Sequence, residues 1–216
     1  MWSSEVTNMI ITGIWETLYM TLVSTLAGYV IGLPMGIILT VSDKDGIKPN
    51  AVLYKILDVI ANIVRSVPFI ILLVLLIPFT RLVVGKSYGS TATIVPLVIA
   101  AAPYIARMVE SSLKEVDAGV IEAARSMGAS NFTIITKVML VEARTSLLVG
   151  ATITLGTILG YSAMSGAVGG GGLGAIAIRY GYTRWQTDIM IVTVILLIIL
   201  FQIFQTVGMK LADKFD

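Results

Sequence analysis

The chain has 216 residues, of which 56% are apolar and only 13% are charged, whereas ordinary soluble domains carry roughly a quarter charged residues. This composition predicts a protein of the lipid bilayer. The chain contains no Cys and no His, which excludes disulfides, thiolate chemistry, Ser-His-type triads and the usual zinc sites. The sequence also has no GxxxxGK[ST] phosphate loop, so the chain does not bind ATP in the P-loop manner.

Five apolar segments are long enough to cross a bilayer, which takes about 20 residues per helix. They are Ile11 to Val41, Ile56 to Phe79, Thr91 to Val109, Thr145 to Met164 and Ile189 to Val207. The pattern predicts an all-α membrane protein with one transmembrane domain over residues 11–207. The N-terminus, MWSSEVTN, has no Lys or Arg, so we expect the first span to be retained rather than removed as a signal peptide.

The basic residues predict the orientation, because they fall into two unequal groups on alternating sides of the five segments. The larger group contains Lys44, Lys48, Lys55, Arg65, Arg107, Lys114, Arg125, Lys137, Arg144, Lys210 and Lys214. The smaller group contains Arg81, Lys86, Arg179 and Arg184. Since cytoplasmic flanks carry the excess of Lys and Arg, we expect the N-terminus outside and the C-terminus in the cytoplasm.

Three glycines repeat at four-residue spacing in the first segment: Gly28, Gly32 and Gly36. Such a stripe leaves one helix face almost without side chains, which lets another helix backbone approach closely. We interpret it as a packing seam. The sequence leaves open whether the second helix belongs to the same subunit or to another copy.

Charged residues occur near the starts and ends of the next two segments. Arg65 precedes Ser66, Val67 and Pro68 at the entry of the second segment. It fits two interpretations, an interfacial anchor whose stem snorkels and a functional cation. Arg107 and Glu110 lie three residues apart in the third segment, a spacing that allows an ion pair on one helix face.

The stretch from Ser111 to Arg144 is the longest and most charged connection, and it predicts two short helices. Asp117 is a candidate N-cap, Gly128 a left-handed stop, and Ser130 or Asn131 a second N-cap. The predicted apolar positions are Val120, Ile121, Ala124 and Met127 in the first helix and Phe132, Ile135 and Val138 in the second. This helix pair suits a groove in another protein; the alternative is an amphipathic loop that rests on lipid headgroups.

The fourth segment ends at Tyr161, Ser162 and Met164, before a run of glycines from Gly169 to Gly174. The run formally matches GxGxxG, but no βαβ pattern surrounds it, so it does not predict dinucleotide binding. We expect irregular backbone at the outer mouth of a path. Tyr161, Ser162 and Met164 are candidate path or gate residues, since a Met side chain can seal and move aside. The alternative is that these side chains only pack between helices.

The loop carries a recognisable motif: Glu122, Ala123 and Ala124, then Gly128, then Val138 and Leu140. It resembles the EAA motif of bacterial ABC importer permeases, which reads EAA, three residues, Gly, nine residues, Ile-x-Leu-Pro. Val138 replaces the Ile, and Val141 replaces the Pro, so we expect a less sharply enforced turn after the second helix. The resemblance implies that these six residues couple the chain to a separate ATPase.

Further runs extend the resemblance over nearly the whole chain, to the permease subunits of methionine ABC importers. These runs are Gly13 to Leu18, Arg65 to Phe69, Val95 to Leu97, Ala102 to Arg107 and Gly160 to Met164. The resemblance implies a path for L-methionine across the bacterial cytoplasmic membrane, and it leaves D-methionine open as a second substrate. It also implies a homodimer, two ATP-binding cassette ATPase subunits that hold the ATP and Mg²⁺, and an extracytoplasmic methionine-binding lipoprotein, with no cofactor in this chain and no nucleic-acid partner.

Three alternatives remain. The first is a permease for another amino acid or small solute. Permeases for different substrates share the coupling motif, and the sequence does not identify the residues of the substrate pocket. The second is a proton- or sodium-coupled carrier, which needs ionisable groups near the midplane; the acidic residues Glu16, Asp58, Glu110 and Asp188 lie toward segment ends, which disfavours it. The third is an intramembrane enzyme, for which no suitable pair of groups occurs within the segments.

Overall fold

The computed structural model describes residues 4–215, and these residues contain helices and no strand. The first residues of the N-terminus interpreted above lie outside that range. The helices are α1 Ser4–Ser42, α2 Ala51–Ser66, α3 Phe69–Leu75, α4 Ile77–Val84, α5 Ser90–Lys114, α6 Ala118–Ser126, α7 Asn131–Thr133, α8 Leu140–Glu142, α9 Arg144–Ser165, α10 Gly172–Ile176 and α11 Thr187–Asp213, with π-helical turns at Ile134–Met139 and Ala177–Tyr182 and a 3₁₀ turn at Gly166–Val168.

Four helical stretches among the described residues are long and apolar enough to cross a membrane. They are α1, α5, the stretch Arg144–Tyr182 that begins with α9, and α11. By length and composition, α2 and α3 taken together give a fifth candidate, and these two helices meet at an angle of 101°. The all-helical fold is therefore confirmed, with four or five candidate crossings.

The prediction of one continuous second span, Ile56 to Phe79, is wrong. Helix α2 ends at Ser66, Val67 is extended with φ −81° and ψ 123°, and α3 starts only after Pro68. The physical reason is Pro68, which lacks an N–H and disfavours the helical conformation for the residue before it. From Phe69 onward the helical hydrogen bonds continue through the bend at Leu76, whose N–H donates to Leu72 O at 2.9 Å and whose C=O accepts from Thr80 N–H at 2.8 Å.

The centre of the fold is the close packing of α1 against α5. A Cβ built on Gly32 would lie 2.6 Å from Ala102 O, and one built on Gly36 would lie 2.6 Å from Ala106 O. Gly28 faces Ala101 in the same way, at 2.9 Å. The glycine stripe therefore packs against a helix of the same chain. The core continues along α5 through Leu97, Ile105, Val109 and Leu113, all fully buried.

After α9 the chain turns back on itself at the glycine run. A Cβ on Gly174 would lie 2.1 Å from Ala163 O, and one on Gly166 would lie 2.3 Å from Ala175 N. Residues nine to eleven positions apart are in contact only if the chain reverses, because a continuing helix would separate them by about 1.5 Å per residue. The reversal uses Gly169 and Gly172, at φ +88° and +79°, a region that L side chains rarely adopt.

Candidate functional site

The connection between α5 and α9 forms two short helices, which we call the helix pair (residues 118–142). The Asp117 carboxylate accepts a hydrogen bond from Gly119 N–H at 2.7 Å, and the Ser130 hydroxyl accepts one from Thr133 N–H at 3.2 Å. Gly128 sits between the helices at φ +80°. Both caps and the left-handed stop are therefore confirmed, and of the two candidates for the second cap the structure selects Ser130.

The predicted coupling residues divide into an exposed group and a supporting group. Glu122, Ala123 and Gly128 are exposed, and no atom lies within 4 Å of the place where Gly128 would carry a Cβ. Ala124 is buried, and Val138 and Leu140 are half-buried against the core. Two residues not selected from the sequence, Ile134 and Met139, are buried at 0% and 3% exposure and anchor the second helix.

The tip of the helix pair presents large apolar side chains to the surroundings. Met127 is 81% exposed and Phe132 is 76% exposed, on either side of Gly128. The sequence placed Met127 on the same face as Ala124, but the structure separates them, since Ala124 turns inward. Helix α6 ends at Ser126, and Met127 is its C-cap. The Met127 side chain therefore does not lie on the face that carries Ala124.

The helix pair is fastened to the rest of the chain at its first helix. Arg125 donates a hydrogen bond to the carbonyl of Ile47 at 2.8 Å, in the loop after α1. Farther along, Arg144 donates to the carbonyl of Phe215 at 3.1 Å, with its guanidinium 5.5 Å from the centre of the Phe215 ring. The base of the pair is thus tied to the loop after α1 and to the C-terminal end of the described range, while its tip is exposed.

Beside the helix pair, a network of charges joins α2 to α5. Arg107 pairs with Glu110 at 2.7 Å and with Asp58, and it also donates to Asn62 at 3.0 Å. The pairing of Arg107 with Glu110 was predicted, but the contribution of Asp58 and Asn62 was not. Their spacing of four residues on an amphipathic helix was the signal that could have revealed it.

Lys114 extends this network to the end of α1. It pairs with Glu110 at 2.8 Å and with Asp43 at 2.7 Å. The hydrogen bond from Lys114 lowers the pKa of the Asp43 carboxyl below its ordinary value, against a smaller opposing effect of burial. The three helices α1, α2 and α5 are therefore held together by ion pairs at the same end of the molecule as the helix pair.

The predicted path residues have different surroundings. Tyr161 stacks on Phe69 of α3, with ring centroids 4.5 Å apart and planes 3° from parallel. Ser162 is buried, and its hydroxyl donates to Leu159 O at 2.8 Å. Met164 is 52% exposed. Tyr161 is thus in direct contact with the broken segment.

A cleft of about 170 Å³ opens beside this stack, at the break between α2 and α3. Arg65, Phe69, Tyr104 and Tyr161 contribute to its lining. The side chain of Arg65 forms no ion pair or hydrogen bond with any residue of the described range 4–215. The sequence selected Arg65 and Tyr161 separately, and the structure brings them together.

At the opposite end of the molecule, α1 holds the glycine turn. The Glu16 carboxylate accepts a hydrogen bond from Gly172 N–H at 2.7 Å, and the Thr17 hydroxyl accepts one from Leu173 N–H at 2.9 Å. These bonds satisfy amide groups that a helix start leaves without partners. The sequence pattern places Glu16 toward the end of a segment but does not predict that Glu16 or Thr17 binds the glycine turn.

Known transport proteins are similar in sequence to most or all of this chain. The chain is 48% identical over 215 residues to the probable D-methionine transport system permease protein MetI of Vibrio cholerae, covering 100% of this chain and 96% of the relative. It is 55% identical over 158 residues to the D-methionine transport system permease protein MetI of Escherichia coli K12, covering 73% of each.

A solved structure of the inward-facing MetNI methionine ABC transporter contains a chain with the same fold. The TM-score is 0.98 with 49% sequence identity, and the alignment covers 100% of both chains. A family model for the inner membrane component of binding-protein-dependent transport systems matches residues 28–213. The chain therefore belongs to the family of binding-protein-dependent transport system inner membrane components.

Proposed function

We propose that this chain is the membrane-spanning subunit of an ATP-driven importer that carries methionine across the cytoplasmic membrane. The observation that carries the proposal is the near-complete match, at 49% identity and a TM-score of 0.98, to a chain of the MetNI methionine transporter. The two MetI relatives named above point to the same substrate. Because this chain has no P-loop, ATP is bound by a separate ATPase subunit.

The proposed topology has five crossings in residues 11–207, with the second made by α3 and α4. Together these two helices extend over residues 69–84, about 24 Å at 1.5 Å per residue, slightly less than the hydrocarbon core of roughly 30 Å. The N-terminus then lies outside and the C-terminus inside. This orientation puts the helix pair, Arg107 and Lys114 on the basic, cytoplasmic side.

The helix pair couples the chain to the ATPase by contact alone. Its exposed tip of Met127, Gly128 and Phe132 fits into a groove of the ATPase, with Glu122 and Ala123 at the edge of the contact. Ala124, Val138 and Leu140 act from below, by holding the tip on the core. Closure of two ATPases on ATP then moves two docked helix pairs together, and a second copy of this chain completes the path.

On the outer side, Tyr161, Ser162 and Met164 line or close the path. Support for this comes from the end of α9 being packed under the glycine turn, so that a displacement of α9 also displaces the turn. Met164 is the exposed side chain of the three, and it contacts the second copy or the substrate in the assembled transporter. A methionine-binding lipoprotein delivers the substrate to this face.

Uptake by vesicles that contain the chain with its ATPase tests the substrate and the energy source. We expect labelled methionine to accumulate only when ATP and the binding protein are present. Uptake driven by an ion gradient without ATP would overturn the importer proposal and favour a secondary carrier. If another amino acid accumulated and methionine did not, the chain would still be an importer subunit, but methionine would be refuted as its substrate.

Crosslinking tests the docking of the helix pair. The chain has no cysteine, so the variants Met127→Cys and Phe132→Cys each introduce the chain's only thiol. A thiol-attached photoprobe at either position is expected to capture the ATPase subunit. The matched control is Tyr88→Cys, also exposed but next to the glycine turn. Equal capture from Tyr88→Cys, or none from the tip, would refute the docking surface.

A further inference from the structure

The cleft at the break between α2 and α3 is bordered by an exposed cation, Arg65, beside apolar and aromatic residues. Ala100 and Tyr104, which line the cleft with Arg65, lie on either side of the midpoint of α5 (Ser90–Lys114). Arg65 therefore faces the central turns of α5 from the entry of the second crossing. Charged residues beside apolar helices face a cavity or a partner, and they mark substrate paths.

Arg65 differs from Arg107, the other arginine of this region, in having no counterion. Arg107 is saturated by Asp58, Glu110 and Asn62. No acidic residue lines the Arg65 cleft, and the Arg65 side chain has no partner within residues 4–215. A guanidinium presents a planar set of donors that matches a carboxylate with two parallel hydrogen bonds. An unpaired arginine in a cleft is thus suited to bind an anion.

The remaining walls are apolar and aromatic, and they suit an uncharged side chain. Phe69, Leu72, Tyr104 and Tyr161 surround the space. Aromatic rings also make favourable contacts with a thioether sulfur. The break itself adds polar groups, because the last turn of α2 ends without the amide donors that a continuing helix would supply to its carbonyls. Such irregular backbone at membrane depth is stable where it lines a cavity.

We propose that this cleft is a substrate subsite within the membrane, in which Arg65 binds the carboxylate of the transported amino acid and the ring stack of Phe69 and Tyr161 borders its apolar side chain. The inference rests on the proposed function and deepens it by naming the part of the chain that contacts the substrate. The volume of about 170 Å³ exceeds the roughly 30 Å³ taken by one water molecule and suits one small solute.

The test uses the complete complex in vesicles, with a photoreactive methionine that carries a diazirine in place of the thioether. We expect mass spectrometry to locate adducts on Leu72, Tyr104 or Tyr161. Arg65→Gln is expected to reduce this labelling about tenfold or more, since a hydrogen-bonded charge pair is lost, and Arg65→Lys is expected to restore part of it. Arg81→Gln is the matched control, because Arg81 is an exposed arginine of α4 outside the cleft.

A substrate analogue separates carboxylate recognition from general damage. Excess methionine is expected to compete with the photoprobe in the unaltered protein, whereas methioninamide, which lacks the carboxylate charge, competes poorly. In Arg65→Gln the two competitors become equal. Normal labelling and normal uptake in Arg65→Gln would overturn the subsite and leave Arg65 as a lipid anchor. Loss of the dimer in that variant would also overturn it, because Arg65 would then pair with the second copy.

Failure of the proposed function gives a different result. If the unaltered complex takes up no methionine with ATP, the importer proposal fails before any variant is compared. If it takes up methionine while the adducts fall outside the cleft, the importer stands and the subsite alone is refuted.

Discussion

The seam between α1 and α5 and the tip of the helix pair both depend on glycine, for opposite reasons. At Gly32 the space for a side chain is occupied, since a Cβ would lie 2.6 Å from Ala102 O. At Gly128 the space is empty, and the residue is needed for its backbone angle of φ +80°. The first region is closed by its own chain, and the second is shaped by the chain but leaves room for a partner.

The two regions also differ in whether their charged side chains have partners within the chain. The closed region pairs its buried charges internally, with Glu110 at 6% side-chain exposure between Arg107 and Lys114. The helix pair keeps Glu122 exposed, and that carboxylate has no pairing partner within the described part of the chain. We therefore expect substitutions in the closed region to reduce stability. Substitutions at the tip should abolish uptake without reducing stability.

The largest effect is expected from Arg107→Met. The change leaves Asp58 without an ion pair and Glu110 with Lys114 as its remaining ion-pair partner, and breaking a buried pair costs about 3 kcal/mol. We expect the variant to unfold at a markedly lower temperature in detergent. Arg125→Met, which removes a single exposed hydrogen bond to the Ile47 carbonyl, is the control and should change stability by less than about 1 kcal/mol. Equal losses would mean that the network is not the stabilising feature.

The next largest effect compares two glycines, one with the place of its missing Cβ occupied by neighbouring atoms and one with that place empty. Gly32→Ala forces α1 and α5 apart and should cost about 2 kcal/mol. Gly160→Ala, at a helical position with no atom within 4 Å of the added carbon, should stabilise α9 by about 0.5 kcal/mol. Thermal unfolding of the two purified variants measures the difference. A neutral Gly32→Ala would contradict the close approach of the two helices.

A smaller loss of stability is expected at the tip. Gly128→Ala should cost about 1 kcal/mol, because only the left-handed backbone is penalised and no contact is broken. Gly128→Asn should cost less, since Asn tolerates that conformation better. Gly128→Trp should remain folded and lose ATP-dependent uptake, because the ring fills the space proposed for the ATPase. Normal uptake by a well-folded Gly128→Trp would remove the distinction between the two regions.

The smallest effect concerns Asp43, at the border between the two regions. Its pKa is lowered from the ordinary 3.8, first by the hydrogen bond from Lys114. A lowered carboxyl pKa stabilises the fold above pH 3.8, and this contribution disappears as the pH falls through the folded-state pKa. The stability advantage over Asp43→Asn should therefore be constant near neutral pH, below about 1 kcal/mol, and shrink under acid. An advantage independent of pH would show that the ion pair does not contribute.

The elements that the sequence predicted well are those governed by local rules. Asp117, Gly128 and Ser130 mark the helix ends because caps and left-handed residues act within one turn. The glycine stripe predicted a seam, but its partner helix could not be derived, since a stripe of small residues fits any apolar helix. The strength of Pro68 as a breaker was underestimated because the surrounding residues are apolar enough to form one span.

Contacts between distant segments were the part that sequence patterns could not supply. The pairing of Arg107 with Asp58 and the hydrogen bond from Gly172 to Glu16 connect residues far apart in the chain. Each residue taken alone resembled an ordinary polar group near a segment end. The stack of Tyr161 on Phe69 was equally invisible, because aromatic residues in apolar segments have many possible neighbours.

The break at Pro68 has one mechanical consequence. Both helices that meet there pack against α5, but α2 is tied to it by Asp58 and Asn62, whereas α3 is also joined to α9 by the stack of Phe69 on Tyr161. A rotation at the extended residue Val67 therefore changes the angle between the two helices and moves the Phe69 ring against α9. Helices α2 and α3 form a jointed rod, in which ion pairs fix the first arm and an aromatic stack guides the second.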